Sequence, residues 1–260
     1  MRCLYLSVAL VLCAAATLQA EVKTEVIEYK VGNQTYQGYL AYDDANKKAP
    51  GVLVFHEWWG LNEYAKQRTE MLAKLGYVAF AADMYGDGKV ATHPQNAGAM
   101  ASEVRANLAD WQKRATAALE VLKKRPQVDP QNVAAIGYCF GGSTALQLAY
   151  TGADLKSVAT FHAALPTPSE EQAAAIQAEV LVCHGADDKF ISAESIQAFK
   201  ERLKKADVKL NFVSFPGAVH SFTVKDAGKH NNPGMQYQKE ADAKSWELMK
   251  ELLGRTLKAQ

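Results

Sequence analysis

The chain lacks an excess of charge of either sign. Among its 260 residues, 29 lysines and arginines face 28 aspartates and glutamates, a formal net charge of +1. Composition therefore favours neither nucleic acid nor an anionic membrane as a partner. Cysteine is scarce, at four residues, which excludes a disulfide-stapled scaffold. No repeat, low-complexity tract or long linker is present, which excludes solenoids and disordered arrays. What is abundant is apolar: 48% of residues are hydrophobic, enough for one α/β domain with a sizeable core.

The first twenty residues, "MRCLYLSVALVLCAAATLQA", differ from the rest. One basic residue, an apolar run from Leu4 to Leu18 and small residues before Glu21 read as a secretory signal peptide. The run is too short to serve as a membrane anchor. Cleavage is expected after Ala20, with Ala16 as the other candidate. The product, residues 21–260, is expected to be a single exported domain, periplasmic or secreted, and a monomer. Removing the leader takes away Arg2, Cys3 and Cys13. Cys183, in "EVLVCHG", reads as a small apolar residue of a buried strand, so a disulfide to Cys139 is not expected.

The remaining pattern alternates. "TEVIEYKV" and "TYQGYLAY" read as paired strands around a Gly32-Asn33 turn. "GVLVFH", "YVAFAAD", "NVAAIG", "SVATFH", "EVLVCH" and "KLNFVSF" read as further strands, most of them continuous apolar runs typical of burial on both faces. Helices are expected over 62–75, with Tyr64, Met71, Leu72 and Leu75 on one face, then over 94–124, 141–151, 193–205 and 236–254. A hairpin followed by alternating strands and helices predicts an α/β fold with a mostly parallel sheet covered on both faces. In such sheets ligands bind beyond the carboxyl ends of the strands.

Four loops occupy that position. In "IGYCFGG", Cys139 stands where a serine hydrolase carries its nucleophile in G-x-S-x-G. The following helix N-terminus would favour a thiolate there. A packed, structural cysteine is the competing reading. In "HGADDKF", counting from His184 puts the acid of an H-G-x-x-D stretch at Asp188, with Asp187 left as a turn or solvated residue. In "PGAVHSF", His220 follows the last strand and completes the order nucleophile, acid, histidine. In "FHEWWGLN", the backbone N–H of Trp58 is a candidate oxyanion donor, together with that of Phe140 after the nucleophile. Glu57 is a carboxylate at the buried end of an apolar strand. It needs a partner there: Arg68 in a salt bridge, or the thiol and the histidine. Trp58, Trp59, Tyr85 and Phe222 are candidates for an aromatic substrate wall, and His162 could line the same pocket.

With "HEWWG", "ADMYG", "GYCFGG", "DDKF", "GAVHSF" and the closing "YQKEADAKSWELMKELL" in view, the chain resembles the dienelactone hydrolase family (carboxymethylenebutenolidase-like) from about Val26 to Leu253. The resemblance implies an α/β-hydrolase fold with a Cys139, His220 and Asp188 triad, and neither a metal nor an organic cofactor. It also implies that Glu57 engages the cysteine at rest and assists thiolate formation when substrate binds. Dienelactone-degrading members hold their substrate's carboxylate with arginines in two loops. Here those loops read "YGDGKV" and "HSFTVKD", with Val224 in place of one arginine and only Lys89 or Lys225 nearby. Lysine lacks the bidentate fork of arginine. The expected activity is hydrolysis of a small ester or lactone other than dienelactone. A thioesterase, a cysteine peptidase or amidase, and a non-catalytic binding protein are the alternatives.

Overall fold

A computed structural model describes residues 21–45 and 48–257. The predicted signal peptide lies outside them. Ten-residue strands β1 (Val22–Val31) and β2 (Gln34–Asp43) pair antiparallel across Gly32-Asn33. Gly32 has φ +61 and Asn33 is not in the left-handed region, the pattern of a II′ hairpin turn. Strands β3 (Ala49–Phe55), β4 (Val78–Ala82), β5 (Val128–Tyr138), β6 (Ser157–Phe161), β7 (Glu179–Gly185) and β8 (Leu210–Phe215) follow. They form one sheet in the order β1-β2-β4-β3-β5-β6-β7-β8, parallel from β4 to β8.

Alternate residues of the central strands divide the core in two. Leu53, Phe55, Phe80, Val133 and Ala135 face one side, with α3 (Leu108–Lys123), α4 (Phe140–Ala149) and α6 (Ala193–Lys205) against them. Val52, Val54, Ala79, Ala134 and Ile136 face the other, beneath α1 (Glu63–Ala73) and α7 (Lys239–Thr256). Burial on both faces is why these strands are apolar throughout rather than alternating.

Three expectations are corrected. The region 94–124 is two helices, α2 (Pro94–Ala106) and α3, because Asn107 takes an extended conformation and its side chain caps α3 through the Asp110 N–H. The buried face of α1 includes Arg68 and Leu72, whereas Leu75 lies past the helix and is 44% exposed. A six-residue helix α5 (Glu170–Ala175) and a 3-10 turn at 227–230 were not expected, being short and poor in apolar periodicity. No helix among the described residues is long and apolar enough to cross a membrane.

The strand order places a switch point at β3 and β5. From β3 the chain moves to β4 on one side, then crosses to β5 on the other. The crevice opened by such a reversal lies beyond the strand carboxyl ends. Register fixes what stands there. Phe55 pairs with Gly137, so Glu57 and Cys139 each lie two residues past the same rung. Tyr138 pairs with Phe161, so His162 follows in the same row.

The side-chain cap that Asn107 gives α3 predicts that Asn107→Ala lowers stability by about 1 kcal/mol, read as a shifted urea midpoint with an unchanged slope.

Candidate active site

The turn between β5 and α4 explains the glycines of its sequence. A Cβ on Gly137 would lie 2.0 Å from the Gly141 carbonyl oxygen. One on Gly141 would lie 2.2 Å from the Phe55 oxygen, and one on Gly142 would lie 2.5 Å from the Ala163 Cβ. Only hydrogen fits at these positions, so strand, turn and helix approach closely enough to force Cys139 into φ 54, ψ −116. Its N–H donates to the Phe161 carbonyl at 2.9 Å, and its own carbonyl accepts from Gly142 and Ser143. Phe140 opens the helix, so its N–H has no acceptor one turn back. Cys139 and Cys183 are both free thiols, as expected.

His220 joins the turn to the loop after β7. Its Nε2 is 3.1 Å from Cys139 Sγ, and its Nδ1 is 2.8 Å from Asp188 Oδ2. Asp188 is buried and its other oxygen accepts from the Phe190 N–H, while Asp187 is exposed. Burial opposes a charge on His220, but Cys139 and Asp188 outweigh it and push its pKa up to about 10. Thiol, imidazole and carboxylate thus form one hydrogen-bonded line with the charged imidazole favoured.

Glu57 is buried at 3% exposure. Its Oε1 accepts from Ser221 Oγ at 3.1 Å. Burial pushes its pKa up to about 7 against the pull of His220, Ser221 and Arg68. Arg68 is not its salt-bridge partner. That guanidinium binds Asp242 at 2.5 Å and the Thr223 carbonyl at 2.9 Å. The peptide after Glu57 is fixed from both ends. Met84 N–H donates to His56 Nε2, so the neutral ring carries its proton on Nδ1 and donates it to the Glu57 carbonyl. Tyr85 O–H donates to the Trp58 carbonyl at 2.9 Å. In a trans peptide N–H and C=O point oppositely, so Trp58 N–H faces away from His56.

The expected aromatic wall is only partly a wall. Trp59 lines a cavity of about 760 Å³ together with Glu57, Arg68, Ser221, Thr223 and Lys225. Trp58 is half-buried and packs edge-on against Trp59. Tyr85 is buried between His56 and Phe140, with its hydroxyl spent on Trp58. Phe222 and His162 are 0% exposed. Phe222 packs on Phe215 and the edge of His162, which makes it core rather than pocket surface. Lys225 and Val224 border the cavity, whereas Lys89 turns to Asp87 on the surface. Sequence reasoning missed His56, Ser221, Thr223 and Asp242, because single polar residues carry no spacing signal. Among the described residues no group of three or more His, Cys, Asp or Glu is arranged to hold a metal ion.

Eight strands with an antiparallel opening hairpin, flanking helices and a strained strand-to-helix turn define an α/β-hydrolase. The chain belongs to the dienelactone hydrolase family, whose profile matches residues 36–257. It is similar to a dienelactone hydrolase-like promiscuous phosphotriesterase from metagenomic libraries. The two are 39% identical with a TM-score of 0.89, over 91% of this chain and 99% of that one. A candidate carboxymethylenebutenolidase of Synechocystis sp. is 28% identical over 264 residues, covering 93% of this chain and all of that protein. A candidate dienelactone hydrolase of Klebsiella pneumoniae, 21% identical over 90% of this chain and 99% of its own, shares the fold at a TM-score of 0.74.

Two predictions follow from this geometry. Gly141→Ala forces backbone apart and costs more than roughly 2 kcal/mol, measured by denaturant unfolding. The buried Glu57 makes the second. Its native pKa lies above its ordinary value of 4.5, at about 7, so the native state keeps a proton that the unfolded chain releases. Stability contributed by that proton is present below the ordinary pKa and is lost as pH rises to the native one. Relative to Glu57→Gln, the wild type should lose on the order of 3 kcal/mol across that window and change little above it. Parallel stability curves for the two proteins between pH 4.5 and 8 would contradict this.

Proposed function

We propose that the protein is an exported hydrolase of small carboxylic esters or lactones that works through a thioester acyl-enzyme on Cys139. The observation that carries this reading is the line Cys139 Sγ, His220, Asp188, at 3.1 and 2.8 Å, on a cysteine held at φ 54. The Cys139 thiolate attacks the carbonyl carbon and forms the C–S bond, and the π electrons move to oxygen. The backbone N–H groups of Phe140 and Trp58 receive that oxyanion. The oxyanion then re-forms the carbonyl and expels the alkoxide, which takes the proton from His220 Nε2. Asp188 keeps the other ring nitrogen protonated and the imidazolium stable. Neutral His220 next removes a proton from water, which attacks the thioester and releases acid and thiolate.

Glu57, poised near neutral pH, takes the thiol proton when Cys139 is not yet ionised. A thiolate leaves a tetrahedral intermediate more readily than an amine does, which favours esters over amides. The one guanidinium lining the cavity, Arg68, is bound to Asp242, and Lys225 is the lysine on its border. That supports neutral esters over dienelactone. The phosphotriesterase activity of the 39% identical relative supports a second substrate class, phosphotriesters, in which the same thiolate attacks phosphorus and expels one ester oxygen as the leaving alkoxide or aryloxide. Export rests on the leader-like residues 1–20.

The test is initial-rate hydrolysis of an aryl acetate and of an aryl dialkyl phosphate. Cys139→Ala and His220→Ala should each lower kcat/KM for the acetate by at least about a thousandfold. Rates equal to wild type in both variants would sink the reading. Cleavage of peptides without cleavage of aryl esters would replace it with a peptidase.

A further inference from the structure

His162 has no part in the line of thiol, imidazole and carboxylate, yet three features set it apart. It is fully buried, with φ 40 in a non-glycine residue. Its Nε2 is 2.7 Å from Thr223 Oγ1. Its Nδ1 has no hydrogen-bond partner and faces Glu57 Oε1 at 3.8 Å, beyond hydrogen-bond length. An orphaned buried ring nitrogen beside a buried carboxyl needs an account.

The hydrogen-bond directions supply one. Arg68 can only donate, and its Nε does so to Tyr64 Oη at 3.3 Å. Tyr64 is therefore an acceptor on that side, and its own proton is free for Thr223 Oγ1 at 2.6 Å. Thr223 then turns its proton to His162 Nε2, which becomes an acceptor. Burial holds the imidazole well below its usual pKa, hence neutral, so its single proton must sit on Nδ1. The row of guanidinium, phenol, hydroxyl and imidazole thus runs one way and ends with an N–H aimed at Glu57.

We propose that His162 is a positioning residue for Glu57: the relay from Arg68 through Tyr64 and Thr223 keeps its proton on Nδ1, as a donor that closes on the carboxylate when Glu57 ionises. The role rests on the ester-hydrolase reading for its consequence in catalysis, but the tautomer itself does not. His162 and Ser221, which face this carboxyl, have φ of 40 and 55. Strain gathered there fits side chains aimed by their surroundings rather than by their own preference. The other groups whose charge Glu57 meets are His220 beyond β8, Arg68 and Tyr64 on α1, and Tyr138 at the end of β5. None of these is altered by the variants below.

The experiment has two arms. In the first, the protein is labelled with nitrogen-15 histidine, and the His162 signals are assigned by their loss in His162→Asn. Nδ1 should carry the proton, and Thr223→Val should let it redistribute to Nε2, whereas Thr223→Ser should not. A proton on Nε2 in the wild type overturns the proposal whether or not the protein is an esterase. In the second arm, the pH profile of aryl-ester kcat/KM is followed, with the limb due to Glu57 identified by its absence in Glu57→Gln. His162→Leu and Thr223→Val should each move that limb up by about one pH unit, because the ionised carboxylate loses a donor. His162→Asn, whose amide N–H can stand at the Nδ1 position, should restore it. An unmoved limb, or one moved down, overturns the proposal. A wild type without Cys139-dependent hydrolysis overturns the ester-hydrolase reading and leaves the first arm to decide the tautomer.

Discussion

The site depends on one steric constraint, the contact of bare backbone at the end of β5. The Phe55 carbonyl occupies the space where a side chain at position 141 would stand, and the Gly141 carbonyl occupies the space beside position 137. Both glycines let α4 start directly above the sheet. With the helix so close, the residue between strand and helix cannot keep ordinary dihedral angles, and Cys139 takes the strain. Its thiol is lifted beyond the strand ends, beside the first free N–H groups of the helix. Sheet register then brings Glu57 and His162 alongside, one strand away on either side.

A second constraint is electrostatic. An ionised carboxyl buried as deeply as Glu57 is costly, and a hydrophobic core would be cheaper. The surroundings do not cancel that cost. They give the carboxyl one hydroxyl donor and leave its pKa near neutrality. Asp188 differs, because it is held by a backbone N–H and by the imidazole of His220. Two carboxyls in one site therefore stand in different surroundings, and burial leaves Glu57 the one whose pKa is raised toward neutrality. Arg68, the nearest guanidinium, is kept from Glu57 by Asp242 on α7.

Much of this was legible in the residues. Long apolar runs marked the buried strands, and the glycine pattern marked the turn at Cys139. The order of chemistry-bearing loops singled out Asp188 and His220, which the fold brings to 2.8 Å of each other. What could not be read was lateral. The break at Asn107 is a capping decision made by one side chain, inside a segment whose composition is helical throughout. Phe222 follows Ser221 in the chain, yet turns into the core while Ser221 lines the cavity. Thr223, Tyr64 and Asp242 come from loop and helices far apart in sequence, and no spacing rule links them. Residues that act by holding others are set by packing, which only the folded chain displays.

The most direct measurement is mass spectrometry of the protein quenched during turnover of an aryl acetate. The account predicts one acetyl group on the peptide containing Cys139, formed within the pre-steady state and lost as turnover ends. It also predicts that Cys139→Ser or Ala leaves that peptide without a thioester-linked adduct. Steady turnover with no adduct on Cys139, or with the acetyl group on another residue, would contradict it.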